Sequence, residues 1–157
     1  AEPLRTLCTG NTLIGIHIRR GDYGDPRYVF PIIPTRWYKD WLETYFHLFH
    51  KPRLFIASED PGLVKEFAEW EPATVANMGV AVEDSPIWDW YMLTQCNVLV
   101  TPSSSYSFTA AMVNRKVPGF YRASLQDGKI VAENVWDCYP IRHEKVKDYP
   151  NLQGISQ

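Results

Sequence analysis

The sequence predicts an α/β fold: a mostly parallel sheet with helices on both faces, one domain over residues 1–157, with a core at about 12–122 and a wrapping tail over 123–157. Three observations predict it. Short apolar, β-rich runs alternate with helical periodicity across short connections, the pattern of successive β–α–β units. The first run, Thr12–Ile18, is apolar on both faces in its first half, as strands inside a parallel sheet are. Charged and hydroxyl residues collect where these runs end, on the rim where such sheets bind ligands. With 157 residues, 45% of them hydrophobic and 22% charged, the chain is long enough for one real core and has the composition of a globular protein.

The elements follow in order. After the first strand, residues 23–34 hold Gly24, Pro26, Pro31 and Pro34 and read as a loop. Thr35 can cap a helix to about His50, with Trp37, Trp41, Leu42, Tyr45, Leu48 and Phe49 near a three- or four-residue period. Arg53–Ser58 is the second strand. Glu59-Asp60-Pro61 then opens a helix to about Trp70, with an acidic cap and proline in the first turn. A short strand is expected at Ala73–Asn77, and a helix from Asp84 or Ser85 to Cys96. Asn97–Thr101 is the next strand, and Pro102-Ser103-Ser104-Ser105-Tyr106-Ser107 leads into a helix ending near Asn114. Val117–Tyr121 is expected to be the last strand, and the polar tail from Ser124 shows no period.

Composition excludes several function classes. A net charge of -2 argues against a general nucleic-acid binder, so an anion site here must be local. No stretch approaches the roughly 18 apolar residues of a membrane span, and Ala1-Glu2-Pro3 does not open a signal peptide. The lack of an initiator Met suggests a processed or trimmed piece. Cys8, Cys96 and Cys138 are odd in number and widely spaced, indicating neither a disulfide framework nor a zinc site. They favour a reduced compartment, so a soluble, cytoplasmic chain is expected. The six Trp fit either an aromatic-lined cleft or an aromatic-rich core.

Three rim segments carry the candidate chemistry. In Gly15-Ile16-His17-Ile18-Arg19-Arg20-Gly21-Asp22-Tyr23, the adjacent arginines point to opposite faces of a strand and so do different jobs. One can fork two phosphate oxygens, while the other pairs with Asp22 and holds the loop. Arg20-Gly21-Asp22 also spells an adhesion tripeptide, which would need an exposed flexible tip. The serine run at a strand-to-helix turn offers free backbone N–H groups and hydroxyls to a diphosphate, or a plain helix cap. It is neither a Walker loop nor a GxGxxG fingerprint. Asp89, between Trp88 and Trp90, can accept from the N–H edge of guanine or complement the helix N-terminus. The two tryptophans either line that pocket or serve the core. His47, His50 and His143 lack partners of metal-ligand type and read as partly buried side chains.

In this order the segments resemble the nucleotide-binding half of the fucosyltransferases with the HxRRxD motif, over roughly residues 12–122. His17-Ile18-Arg19-Arg20-Gly21-Asp22-Tyr23 is closest to the α1,2 group, a glycosyltransferase family 11-like form. Phe55-Ile56-Ala57-Ser58-Glu59-Asp60-Pro61 is similar to that family's strand ending in an acidic turn. Asp89, Leu93, Cys96, Asn97 and Ser103–Ser105 resemble its helix, strand and serine loop.

The resemblance implies a Rossmann-like C-terminal domain of a GT-B enzyme that binds GDP-fucose and transfers fucose to a glycan hydroxyl, inverting and without metal or other cofactor. Arg19 would hold the β-phosphate, Asp22 would orient the arginines, and His17 and Asp89 would contact the guanosine. Ser104 and Ser105 would meet the diphosphate, and Arg20, Ser58, Asp60, Ser103 and Tyr106 complete the expected substrate-binding set. The chain departs from the family in four ways, one being Tyr106-Ser107-Phe108 where Phe-Ser-Trp is more usual. The N-terminal acceptor half is missing, which points to a further domain or a partner chain. Glu59 stands where an aspartate is usual. No residue clearly matches a catalytic base, for which Asp22, Asp25 and Asp60 are candidates by position. A non-catalytic GDP-sugar-binding module is the alternative reading.

Overall fold

A computed structural model describes residues 7, 9–23, 30–116 and 119–142. Its strands are β1 (Thr12–Ile18), β2 (Pro52–Ser58), β3 (Val98–Thr101), β4 (Gly119–Ser124) and β5 (Lys129–Glu133). They form one sheet in the order β2-β1-β3-β4-β5, parallel throughout except for β5, which runs antiparallel to β4. The chain passes from β1 to β2 on one side and then crosses back to β3 on the other side of β1. This reversal opens a crevice beyond the carboxyl ends of β1 and β3, the topological switch point of an open α/β sheet.

The helices are α1 (Thr35–Tyr45), α2 (Pro61–Val64), α3 (Ser85–Leu93) and α4 (Ser105–Val113). The two-residue alternation of the strands divides the core between the two faces of the sheet. Ile14, Ile16 and Ile18 join Leu54, Ile56, Val98 and Val100 against Tyr38, Trp41 and Leu42 of α1 and against Leu63 and Phe67. Leu13, Phe55, Ala57 and Leu99 pack on the opposite face against Met92 and Leu93 of α3 and Phe108, Ala110 and Ala111 of α4. Each such fully buried aliphatic side chain contributes about 1.5–3 kcal/mol. Gly15 lies on this second face because α3 closes onto β1 there. A Cβ at that position would sit 2.5 Å from Cys96 Sγ and 2.9 Å from Leu99 Cδ2.

Several sequence expectations need correction. Thr35 does not cap α1, whose N-cap is Pro34 without a side-chain bond, because the Thr35 hydroxyl accepts from Arg20 instead. That helix stops at Tyr45 and continues as a 3₁₀ turn over Phe46–Leu48, since Phe49 is extended and Lys51 has φ 45° before the strand-opening Pro52. Asp60 caps α2 as expected, accepting from the Gly62 and Leu63 N–H groups. Beyond Val64, however, the helix tightens to 3₁₀ as far as Trp70, broken in geometry at Phe67.

Ala73–Asn77 is not a strand. One bridge between Phe55 and Ala73 forms, then Thr74 Oγ1 accepts from the Asn77 N–H and the chain turns into a 3₁₀ segment. The tail from Ser124 also departs from expectation, because β5 completes a hairpin with β4 around Asp127-Gly128, Gly128 having φ 63°. Cys8, Asp25, His143 and the ends of two expected elements (residues 24–29 and 117–118) lie outside the described residues. Among the described residues no helix is long and apolar enough to cross a membrane.

Candidate functional site

Beyond the carboxyl ends of β1 and β2, facing the start of α4, lies a cleft of about 1020 Å³. Its polar lining includes His17, Arg19, Asp22, Tyr23, Ser58, Glu59, Asp89, Ser104, Ser105 and Tyr106, and Val64, Ala68, Val75 and Val80 supply part of an apolar wall. The polar set converges from four separate elements, as the sheet order requires.

The two arginines at the end of β1 do separate, in a different way from the one expected. Arg19 faces the cleft, and it is Arg19 that pairs with Asp22, its Nε and Nη2 donating to Oδ1 at 3.1 and 2.8 Å. A second carboxylate, Glu59 Oε1, lies 3.9 Å from Arg19 Nη1 and accepts the backbone N–H of Arg20 at 2.7 Å. Burial works against the charge on Arg19, but Asp22 and Glu59 outweigh it and hold the guanidinium pKa above its ordinary value. With 40% of its side chain exposed, Arg19 remains open to an anion entering the cleft. Arg20 turns away from the cleft and donates to the carbonyls of Arg19 and Ile33 and to Thr35 Oγ1. Its role is to fasten the loop after β1 to the start of α1.

His17 lies one turn of the pleat before Arg19, buried between the sheet and Tyr106, with ring centroids 5.1 Å apart. Burial and then the neighbouring Arg19 charge push its pKa down to about 3, so the imidazole is neutral at physiological pH. Its Nδ1 has no hydrogen-bond partner among the described residues. Asp89 is likewise buried on the first turns of α3. Its Oδ2 accepts a long bond from Ser85 Oγ at 3.5 Å, while Oδ1 has no partner among the described residues. Burial raises its pKa to about 7, with Glu59 adding to the shift and Ser85 opposing it. A buried carboxylate oxygen without a donor is a costly arrangement and a ready acceptor for a ligand's N–H groups. Tyr106 ties the two helices together, its hydroxyl donating to the Pro86 carbonyl.

Ser104 is the N-cap of α4 and makes no side-chain cap bond. Ser104 and Ser105 both line the cleft. The first-turn amides have no intrahelical acceptor and carry the positive end of the helix dipole.

Of the residues singled out by sequence, His17, Arg19, Asp22, Ser58, Asp89, Ser104, Ser105 and Tyr106 converge on the cleft. Arg20, Asp60 and Ser103 do not line it. Arg20 anchors the loop, Asp60 is spent on the α2 cap, and Ser103 accepts from Tyr23 Oη through its carbonyl and from the Arg142 N–H through its hydroxyl. Glu59, Tyr23 and Ile141 were missed as cleft residues. The register offers a signal for Glu59, which follows β2 at the level where Arg19 follows β1. Nothing in the sequence foretells Ile141.

A family model described as glycosyl transferase family 11 matches residues 4–118. Galactoside alpha-(1,2)-fucosyltransferase 1 of Oryctolagus cuniculus is 29% identical over 117 residues, covering 68% of this chain and 30% of that protein. Galactoside alpha-(1,2)-fucosyltransferase 2 of the same organism is 30% identical over 104 residues, 64% of this chain and 29% of that protein. The chain therefore spans less than a third of the length of these curated relatives. A crystal structure of NodZ alpha-1,6-fucosyltransferase soaked with GDP-fucose superposes with a TM-score of 0.60 at 16% identity, covering 85% of this chain and 46% of that one. At that identity the likeness is one of fold.

Proposed function

The chain belongs to glycosyl transferase family 11, and we propose that its cleft binds the GDP moiety of GDP-fucose and presents the fucose for transfer to a glycan hydroxyl. One observation carries this reading: a single cleft at the switch point holds an exposed guanidinium, a helix N-terminus and a buried carboxylate oxygen without a donor. A diphosphate offers Arg19 two oxygens at once, and its charge can take the guanidinium from Asp22. The amides of α4 complete the anion site. Guanine presents two adjacent N–H groups, the complement of Asp89 Oδ1.

In the transfer, the acceptor hydroxyl bonds to the sugar carbon as that carbon's bond to the diphosphate breaks, the electron pair leaves with GDP, and the hydroxyl's proton passes to water. Arg19 and the α4 amides are fixed where that charge develops, so they stabilise it without rearrangement. We read the reaction as inverting and independent of metal, with the leaving charge met by these groups. Contacts to the glycan would come from the remainder of a longer polypeptide or from a partner chain.

A second reading, a GDP-sugar-binding module that transfers nothing alone, draws on the carboxylates beside Arg19. Asp22 and Glu59 are both engaged with the arginines, so neither is held apart from Arg19 as a dedicated base for the hydroxyl's proton.

Calorimetric titration with GDP, GDP-fucose, GDP-mannose and UDP, with Arg19→Ala as control, tests the site. Guanine nucleotides binding, UDP failing to bind and the variant losing affinity is the expected pattern. Equal affinity for UDP, or undiminished GDP binding by the variant, would overturn it. Fucose release from the donor in the presence of a galactoside acceptor then separates the enzyme from the module.

A further inference from the structure

Beyond the family match, which ends at residue 118, the hairpin and the segment after it hold a second cluster of charge. Arg122, on β4, is 1% exposed and forms an ion pair of 2.7 Å with Glu133 on β5, itself 9% exposed. The same guanidinium donates to the carbonyls of Tyr139 and Pro140 at 2.6 and 3.1 Å. The other oxygen of Glu133 meets the guanidinium of Arg142. Arg142 in turn donates its backbone N–H to Ser103 Oγ at 2.6 Å.

We propose that the Arg122–Glu133–Arg142 network is a positioning device for the serine loop, acting through Ser103 to fix the start of α4 against the donor diphosphate. The inference rests on the nucleotide reading above. Burying charge is unfavourable unless it is paired and fully hydrogen-bonded, and apolar contacts alone could have held this hairpin to the sheet. What the ionic network adds is direction: two carbonyls and one carboxylate fix where residues 139–142 run. Their backbone then meets Ser103 from one side, while Tyr23 Oη, beside the Arg19 loop, grips the Ser103 carbonyl at 2.6 Å from the other. Ser104 makes no side-chain cap bond of its own, so the clamp on its neighbour sets the orientation of the first turn. Ile141 reaches the cleft wall from the same segment. None of the three charged residues of the network lines the cleft, so they act through Ser103 and not on the ligand.

Glu133→Gln would take the counter-charge from Arg122 in the core and can unfold the chain, so the test uses Ser103→Ala, Arg142→Ala and the double variant. Kd values for GDP and for guanosine are measured by calorimetry well below each variant's melting temperature. Each single variant is expected to bind GDP about tenfold more weakly, the size of one lost hydrogen bond. The double variant should be no weaker than the singles, and guanosine affinity should be unchanged. GDP affinity equal to wild type in both single variants, additive losses in the double, or GDP and guanosine weakening together would each overturn the proposal. Failure of the wild-type chain to bind GDP would instead remove the nucleotide reading, and this inference with it.

Discussion

Arg19, just past the end of β1, and Arg122, within the parallel strand β4, live in opposite electrostatic worlds. Arg19 is 40% exposed and flanked by Asp22 and Glu59, whose side chains are 45% and 35% exposed. Arg122 is 1% exposed, lies over the rings of Phe108 and Phe120 at 5.9 Å from each centroid, and is paired with a nearly buried Glu133. Water screens the first cluster, so its pairings are weak and exchangeable, and a diphosphate can replace a carboxylate there at little energetic loss. The second cluster is desolvated, so its partners are fixed and breaking one strands a charge in the core. On the proposed function, the same residue type would serve as a ligand hand in one place, while it is a structural bolt in the other.

The sharpest way to break this comparison is to truncate each arginine. Arg122→Ala should lower unfolding stability by about 3–5 kcal/mol, because the buried Glu133 loses one of its two charge partners and the Tyr139 and Pro140 carbonyls lose their donor. Denaturant midpoints would show it, and a loss below about 1 kcal/mol would mean the pair is screened like a surface bridge. Arg19→Ala should change stability by less than about 1 kcal/mol yet weaken GDP binding by about a hundredfold, the loss of two charge-assisted hydrogen bonds.

Arg20→Ala sits between these cases. It releases Ile33, Thr35 and the loop after β1, and GDP affinity should fall about three- to tenfold through misplacement of Arg19. Arg36 and Asp40, at 3.5 Å with 85% and 52% exposure, supply the baseline. Arg36→Ala should shift stability by less than about 0.5 kcal/mol.

Asp89 sharpens the comparison through pH. Its folded-state carboxyl is raised to about 7 against an ordinary value of 3.8. Between those values the folded chain holds a proton that the unfolded chain has lost. The contribution of Asp89 to stability is therefore fully present below pH 4 and is lost as pH rises toward 7. Binding guanine runs the other way, since the ionised carboxylate is the acceptor. GDP affinity should rise with pH until about 7 and then level off, and Asp89→Asn should flatten both profiles. A wild-type affinity profile with no such rise would detach Asp89 from the base.

Much of this was legible in the sequence for physical reasons. Strands buried on both sides must be apolar on both sides, which exposed Thr12–Ile18 and Val98–Thr101 directly. Helix starts advertise themselves through residues with few other uses, which is why Asp60-Pro61 read correctly. In a parallel sheet the strand ends share one rim, so Arg19, Asp22, Ser104 and Ser105 could be gathered on it, while His17 and Asp89 joined them through the resemblance to the HxRRxD fucosyltransferases. The hairpin signal Asp127-Gly128, flanked by Tyr121–Ser124 and Lys129–Val131, was also present, and the polar character of the tail hid it.

Other features depended on partners far away in the chain. Thr35 looks like a helix cap until Arg20 claims its hydroxyl, and Ala73–Asn77 has strand composition but a single bridge in which to use it. Which arginine pairs with Asp22 could not be read either, because Asp22 is within reach of both, and the Ile33 carbonyl and Thr35 hydroxyl that hold Arg20 away are brought up by folding. By itself, then, the sequence determined the order of β1 to β4 and of the helices between them, the shared rim and the charged residues on it, since these follow from local periodicity and from the single geometry of parallel sheets. Tertiary structure alone decided which arginine meets the cleft, which acid stays unpaired, and that Arg122, Glu133 and Arg142 join into one network. Electrostatic roles are set by burial and by partners distant in sequence, and neither is encoded in any short stretch of it.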